Sequence, residues 1–156
     1  MEDWKDILSG ASKVLHEQMK MKSEDLKAGT VVYMPLNRED GLVIDPKYKT
    51  RNKFFVIIGI TEKGDIIGSV LINTKPAVYN DEIVKCQYLL LQRNYSMIIN
   101  HDSWIDCSEL FVFERQRIIK EGERHGSINA KDFDIIINII RDTPLISNKI
   151  KRRFGI

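Results

Sequence analysis

Two runs rich in β-branched and aromatic residues, Phe54–Thr61 and Ile66–Asn73, meet at Glu62-Lys63-Gly64-Asp65. Each run has the length and composition of a strand, and the glycine between them supplies the backbone freedom that a tight reversal needs. The spacing therefore predicts an antiparallel hairpin and commits the centre of the chain, about residues 29–120, to β structure.

The segments on either side are read against that hairpin. Thr30–Leu36 reads as an edge or terminal strand that closes at Pro35. Ile83–Leu91 reads as a fourth strand, its run Tyr88-Leu89-Leu90-Leu91 implying burial on both faces. Asn94-Tyr95-Ser96 reads as a turn, followed by short strands near residues 97–100 and 110–113. Several short strands with short connections point to a small barrel or sandwich.

The ends of the chain change period. In residues 3–21, Trp4, Ile7, Leu8, Ala11, Val14, Leu15 and Met19 make the stripe of an amphipathic helix, followed by a polar, linker-like segment. At the other end Asn129 caps a helix over 129–142. Phe133, Ile136, Ile137 and Ile140 form one face, Ile135 and Ile139 a second, and Asp142-Thr143-Pro144 stops it. Ser147 caps a last turn whose Lys149, Lys151, Arg152 and Arg153 read as a solvated tail or as charge complementing a helix C-terminus. The chain divides into a helix and linker (1–26) and a β domain with C-terminal helices (27–156). Expected core residues are Phe54, Val56, Ile58, Val70, Ile72, Leu89, Leu91, Phe133, Ile136, Ile137 and Ile140.

Composition narrows the function classes. A net charge of +2 over 156 residues leaves the molecule only weakly basic, so nucleic-acid binding needs local clustering of charge. No secretory leader pattern opens the chain and no apolar run approaches the roughly 20 residues of a membrane helix. A cytoplasmic protein with Cys86 and Cys107 reduced, and no membrane association, is the expectation. Metal-ligand spacings, phosphate loops of the P-loop type and the Gly-x-Ser-x-Gly elbow are absent, so no metal or cofactor is implied.

The polar loop before the hairpin carries Lys47, Tyr48, Lys49, Arg51 and Lys53, and the hairpin ends in Asn73-Thr74-Lys75. Cations on a loop–strand boundary stay wet on a rigid support, which suits a phosphate. Metal-free RNA cleavage needs a cation to offset charge growing on the scissile phosphate, and proton donors or acceptors at the attacking and leaving oxygens. Arg51 with Asn73 and Thr74 is the candidate catalytic set; Lys47, Tyr48, Lys49, Lys53 and Lys75 are the candidate RNA-binding residues. His101-Asp102-Ser103 offers triad residue types, but adjacent strand residues point to opposite faces and cannot form the relay. His101 and Ser103 share a face and are candidates for a binding surface.

The order of elements resembles the MazF/PemK family of toxin endoribonucleases. The residues that carry the likeness are Ala28-Gly29-Thr30-Val31-Val32, Arg51-Asn52-Lys53-Phe54-Phe55-Val56-Ile57-Ile58, Leu71-Ile72-Asn73-Thr74, Ser103–Leu110 and Gly126-Ser127-Ile128. The likeness spans about residues 27–142. It implies a small SH3-like barrel, cleavage of single-stranded RNA without a metal, a homodimer and an antitoxin protein as partner. Thr30 stands where the family has an acidic residue and no proline follows Arg51, so the family's arginine corresponds to Arg51 or Lys53. The family's threonine falls on Asn73, with Thr74 one place later; a one-residue shift on a strand reverses the face, so only one of them points inward. The other reading is a barrel that binds a protein or nucleic acid without cleaving it.

Overall fold

The structure, a computed structural model, describes residues 19–156. Of the amphipathic helix expected at 3–21, residues up to 18 lie outside that range.

The hairpin forms where the sequence places it. Strands β2 (Thr50–Ile60) and β3 (Ile66–Asn73) pair antiparallel, Gly64 takes φ +76°, and its N–H donates to Thr61 O at 2.7 Å. Around it stand β1 (Thr30–Asn37), β4 (Gln87–Leu90), β5 (Ser103–Glu114) and β6 (Glu123–Ser127), in the antiparallel order β4-β5-β3-β2-β1-β6. The expected mainly β fold with flanking helices is what is found, as a curled half-barrel with β4 and β6 at its edges. Among the described residues the helices are α1 (Asp81–Lys85), α2 (Arg115–Glu121), α3 (Ala130–Asp142) and α4 (Asn148–Arg153).

Both faces of β2 and β3 are apolar, so the sheet has a core on each side. Val31, Val56, Ile58, Val70, Ile72 and Ile105 join Ile136 and Ile140 of α3 on one face. Val32, Met34, Phe55, Ile57, Ile67 and Leu71 join Phe113 and Ile118 of α2 on the other. The expected core list held only the first face of the hairpin. It also contained Leu89, which is 40% exposed because β4 is an edge strand. Pro35 closes no edge: β1 pairs with β2 along its length, while β6 covers only Thr30–Tyr33 and leaves the proline beyond its end.

Three local expectations are corrected. Ile83–Leu91 is α1 followed by the four residues of β4, because Asn80 caps a helix there, its Oδ1 accepting from Ile83 N at 3.0 Å, and Asp81 and Glu82 suit the first turn. Residues 97–100 form no strand: the Tyr95 carbonyl accepts from the N–H of Ile98 and Ile99 and closes a turn. Strand β5 then begins at Ser103 and spans twelve residues, with Asp106 Oδ1 accepting from Ser108 N at 3.0 Å where the register with β3 breaks. Turn-forming residues there make a bulge instead of ending a strand.

The helices are fixed by polar joints as well as burial. Asn129 Oδ1 accepts from Asp132 N, as the capping pattern predicts, and Asp132 accepts the hydroxyls of Tyr88 and Tyr95 at 2.5 Å each. The buried Lys151 of α4 donates to Arg141 O at 2.8 Å and Thr143 O at 2.7 Å, capping the carbonyl end of α3. Helix complementation, one of the two roles read for the basic tail, is thus the role of Lys151. Residues 19–26 do more than link, since Met21 and Leu26 are buried in the second core. Arg117 of α2, unanticipated as a helix, pairs with Asp40 at 2.6 Å; its guanidinium holds the Asp40 carboxyl below the usual range.

Of the second face the sequence suggested for α3, Ile139 packs partly buried against the first core, while Ile135 is 37% exposed. Ile136→Ala is therefore expected to cost about 2–5 kcal/mol in urea unfolding and Ile135→Ala under about half a kcal/mol. Equal losses would show that the helix is rotated relative to this account.

Candidate functional site

At the end of the sheet where β2 begins and β3 finishes, apolar cover gives way to polar side chains. Lys53 is a strand residue opposite Met34 in β1, while Arg51 lies opposite Leu36, so the loop–strand boundary comes a turn of the pleat earlier than the sequence suggested. Alternation puts Arg51, Lys53 and Phe55 on one face and Phe54 on the other. Lys53 Nζ donates to Asn73 Oδ1 at 2.5 Å, so Asn73 shares the Lys53 face. Asn73 in turn stands opposite Trp104, and Trp104 opposite Leu89.

Lys53 is the unusual group. It is 8% exposed, and Asn73 is its one hydrogen-bond partner among the described residues, with no carboxylate in reach. Burial, and then the neighbouring Arg51 charge, pull its ammonium from the ordinary lysine value down to about 8. An ammonium has three donors, so two are unfilled within the described structure. Arg51 is exposed and forms no ion pair among the described residues, which leaves its planar fork open to an anion.

The structure brings together Arg51, Lys53 and Asn73 and separates Thr74 from them. Thr74, just past β3, lines a cleft of about 170 Å³ on the Phe54 side, together with His101 and Ser103. Asn73 touches both places: its side chain holds Lys53 and it forms part of the cleft wall. Lys47, Tyr48, Lys49 and Lys75 are exposed, and no side-chain bond joins them to Lys53. The loop carrying the first three is nonetheless ordered, because Arg38 Nη2 donates to the carbonyls of Ile44, Asp45 and Tyr48 at 3.3, 3.1 and 2.9 Å. It leaves the sheet at the Asn37–Thr50 pair, the same end as Arg51.

The cleft has chemistry of its own. His101 Nδ1 lies 2.9 Å from Asp102 O, which can only accept, so in the neutral ring Nδ1 carries the hydrogen and Nε2 keeps its lone pair. Ser103, 3% exposed, donates to His101 O at 3.1 Å. Phe54 forms the aromatic wall and is braced from behind by Tyr33 and His125, with ring centroids 4.6 and 5.2 Å away. The sequence marks His101 and Ser103 as a shared face but gives no sign of the other walls: Ile98, Ile99 and Asn100 come from a turn read there as a strand, and Phe54 of β2 meets them only in the fold.

Among the described residues no group of three or more His, Cys, Asp or Glu side chains is placed to hold a metal ion, and no helix is long and apolar enough to cross a membrane. Compared with known proteins, the chain matches no family model and no curated protein. The likeness to the MazF/PemK family therefore rests on the residues quoted for it.

The unfolded chain keeps the Lys53 proton to about pH 10.4, while the folded protein releases it near 8. The cost of burying the charge is thus fully present below the folded value and relieved as pH rises above it. Native protein is expected to gain stability relative to Lys53→Met between about pH 8 and 10.4 in urea unfolding at stepped pH. A stability difference that stays flat over that window would contradict the burial of the charge.

Proposed function

We propose that the protein is a metal-independent endoribonuclease acting on single-stranded RNA, with its phosphate site at Arg51, Lys53 and Asn73. The observation that carries this reading is Lys53, a nearly buried ammonium set beside Arg51, neither of which has a carboxylate partner among the described residues. Buried charges are normally paired, and a phosphodiester supplies the missing anion. The polar, exposed loop of Lys47, Tyr48 and Lys49 at the same end adds a track for a nucleic-acid backbone.

The chemistry proposed uses the chain, its substrate and solvent water. The ribose 2′-hydroxyl gives its proton to solvent water as its oxygen attacks phosphorus, and the bond from phosphorus to the 5′-oxygen breaks, leaving a 2′,3′-cyclic phosphate and a 5′-hydroxyl. Arg51 spans two phosphate oxygens and offsets the charge that grows on them. Lys53, held as an ammonium beside the phosphate, gives a proton to the departing 5′-oxygen, and Asn73 holds it in place. The toxin role, the antitoxin partner and the homodimer are supported by the family likeness alone.

A second reading, a non-catalytic module that binds RNA or protein, is favoured by the position of Thr74. In this structure it faces the cleft and does not stand beside Lys53. Cleavage assays on single-stranded RNA separate the two readings. Arg51→Ala and Lys53→Met are expected to lower kcat by about 10²–10³ with unchanged circular dichroism, and Arg51→Lys to restore part of it. RNA bound by the native protein but left uncut would favour the binding module.

A further inference from the structure

The cleft beside Asn73 is not needed to hold a phosphate, yet it is built. At about 170 Å³ it is smaller than the roughly 300–1,000 Å³ of pockets for drug-sized ligands, and it admits one ring system. Phe54, Ile98 and Ile99 make its walls apolar. Its rim carries Thr74 and Asn100, whose side chains have no hydrogen-bond partner among the described residues, and the His101 ring with Nε2 left as an acceptor. Ser103 is buried, its hydroxyl donating to His101 O at 3.1 Å with its oxygen 3.3 Å from His101 Nδ1, so it serves to hold the histidine.

We infer that this cleft is a nucleobase pocket that takes an unpaired base of the RNA chain whose phosphate lies at Arg51 and Lys53. The inference rests on the proposed RNA reading for its ligand, and on the cleft itself for its chemistry. A planar heterocycle needs an apolar wall against its face and mixed donors and acceptors at its edge. Phe54 supplies the wall. The Asn100 amide supplies a donor and an acceptor side by side, the pairing that amide side chains make with base edges, with the Thr74 hydroxyl and His101 Nε2 beside it. Strand β3 ends at Asn73, so the sheet is one residue thick between the two sites. A nucleotide turning over that rim leaves its phosphate on the Lys53 side and its base on the Phe54 side. Asn73, bonded to Lys53 and part of the cleft wall, is the shared residue.

The test uses the full chain and RNA that cannot be cut: a 2′-O-methyl single-stranded oligomer, the same oligomer with abasic residues, and a nucleoside 3′-monophosphate. Affinity is read by fluorescence anisotropy for the oligomers and by ligand-observed NMR for the mononucleotide. The abasic oligomer is expected to bind about tenfold or more weakly than the intact one. Thr74→Trp, which fills the cleft from an exposed position, and the milder Asn100→Ala are expected to weaken the intact oligomer and leave the abasic one unchanged. Mononucleotide binding that Thr74→Trp abolishes, without oligomer binding, would assign the same pocket to free nucleotides. Equal affinity for intact and abasic oligomers in the native protein overturns the pocket while leaving the phosphate site standing. Base-dependent binding that is lost in Thr74→Trp but untouched by Arg51→Ala and Lys53→Met supports the pocket and removes the phosphate site. No binding of any probe overturns both.

Discussion

Strands β2 and β3 are apolar on both faces, and a sheet of that kind has to be covered twice. The rest of the architecture answers that demand. Helix α3 and the turn at 95–99 close one side, α2 and residues 19–26 close the other, and β1 and β5 flank the hairpin so that neither of its strands is an edge. The C-terminal segment completes the cover at the hairpin's far end. Phe154 packs so closely there that a Cβ at Gly59 would stand 2.4 Å from its carbonyl oxygen and one at Gly68 2.9 Å from its ring. Those two glycines, paired across β2 and β3, are a requirement of packing, not of conformational freedom.

The candidate site lies where the double cover runs out. Toward the start of β2 the buried pattern ends at Lys53, and the residues before it are exposed. The lysine has neighbours enough to strip away water but, among the described residues, no carboxylate to replace it, which is why its charge is held at a cost. Asn73 offers only a neutral oxygen, and Arg51 adds repulsion. An arrangement that strains a charge in this way gains from any anion that arrives, and the gain is larger than at a solvated lysine because less water has to be displaced.

Much of this is legible in the sequence, for identifiable reasons. The β2–β3 hairpin follows from Gly64 between two β-rich runs, and the start of α3 from Asn129 followed by Asp132. Local chemistry decided both. The errors arise where context overrides local pattern. Leu89 looks like core and is exposed because β4 has a neighbour on one side only. Asn80-Asp81-Glu82 is a capping signal that the apolar run after it hides. Ile98 and Ile99 look like a strand and are held in a turn by one carbonyl, that of Tyr95. At the site, pairing Arg51 and Lys53 with the end of β3 was readable from charge and position. The split between Asn73 and Thr74 was not, because it depends on which of two adjacent residues is the last to keep the strand's alternation.

The central claim is that Lys53 is a buried cation waiting for an anion. The direct measurement is an NMR titration of the Lys53 side chain, followed through its Nζ or Cε resonance, in the free protein and in the presence of saturating uncleavable single-stranded RNA. The account predicts that the free amine titrates near pH 8 and that bound RNA moves it upward toward the ordinary lysine value, since a phosphate favours the charged form. A free protein whose Lys53 titrates like a solvated lysine, or a low value that saturating RNA leaves in place, would contradict it.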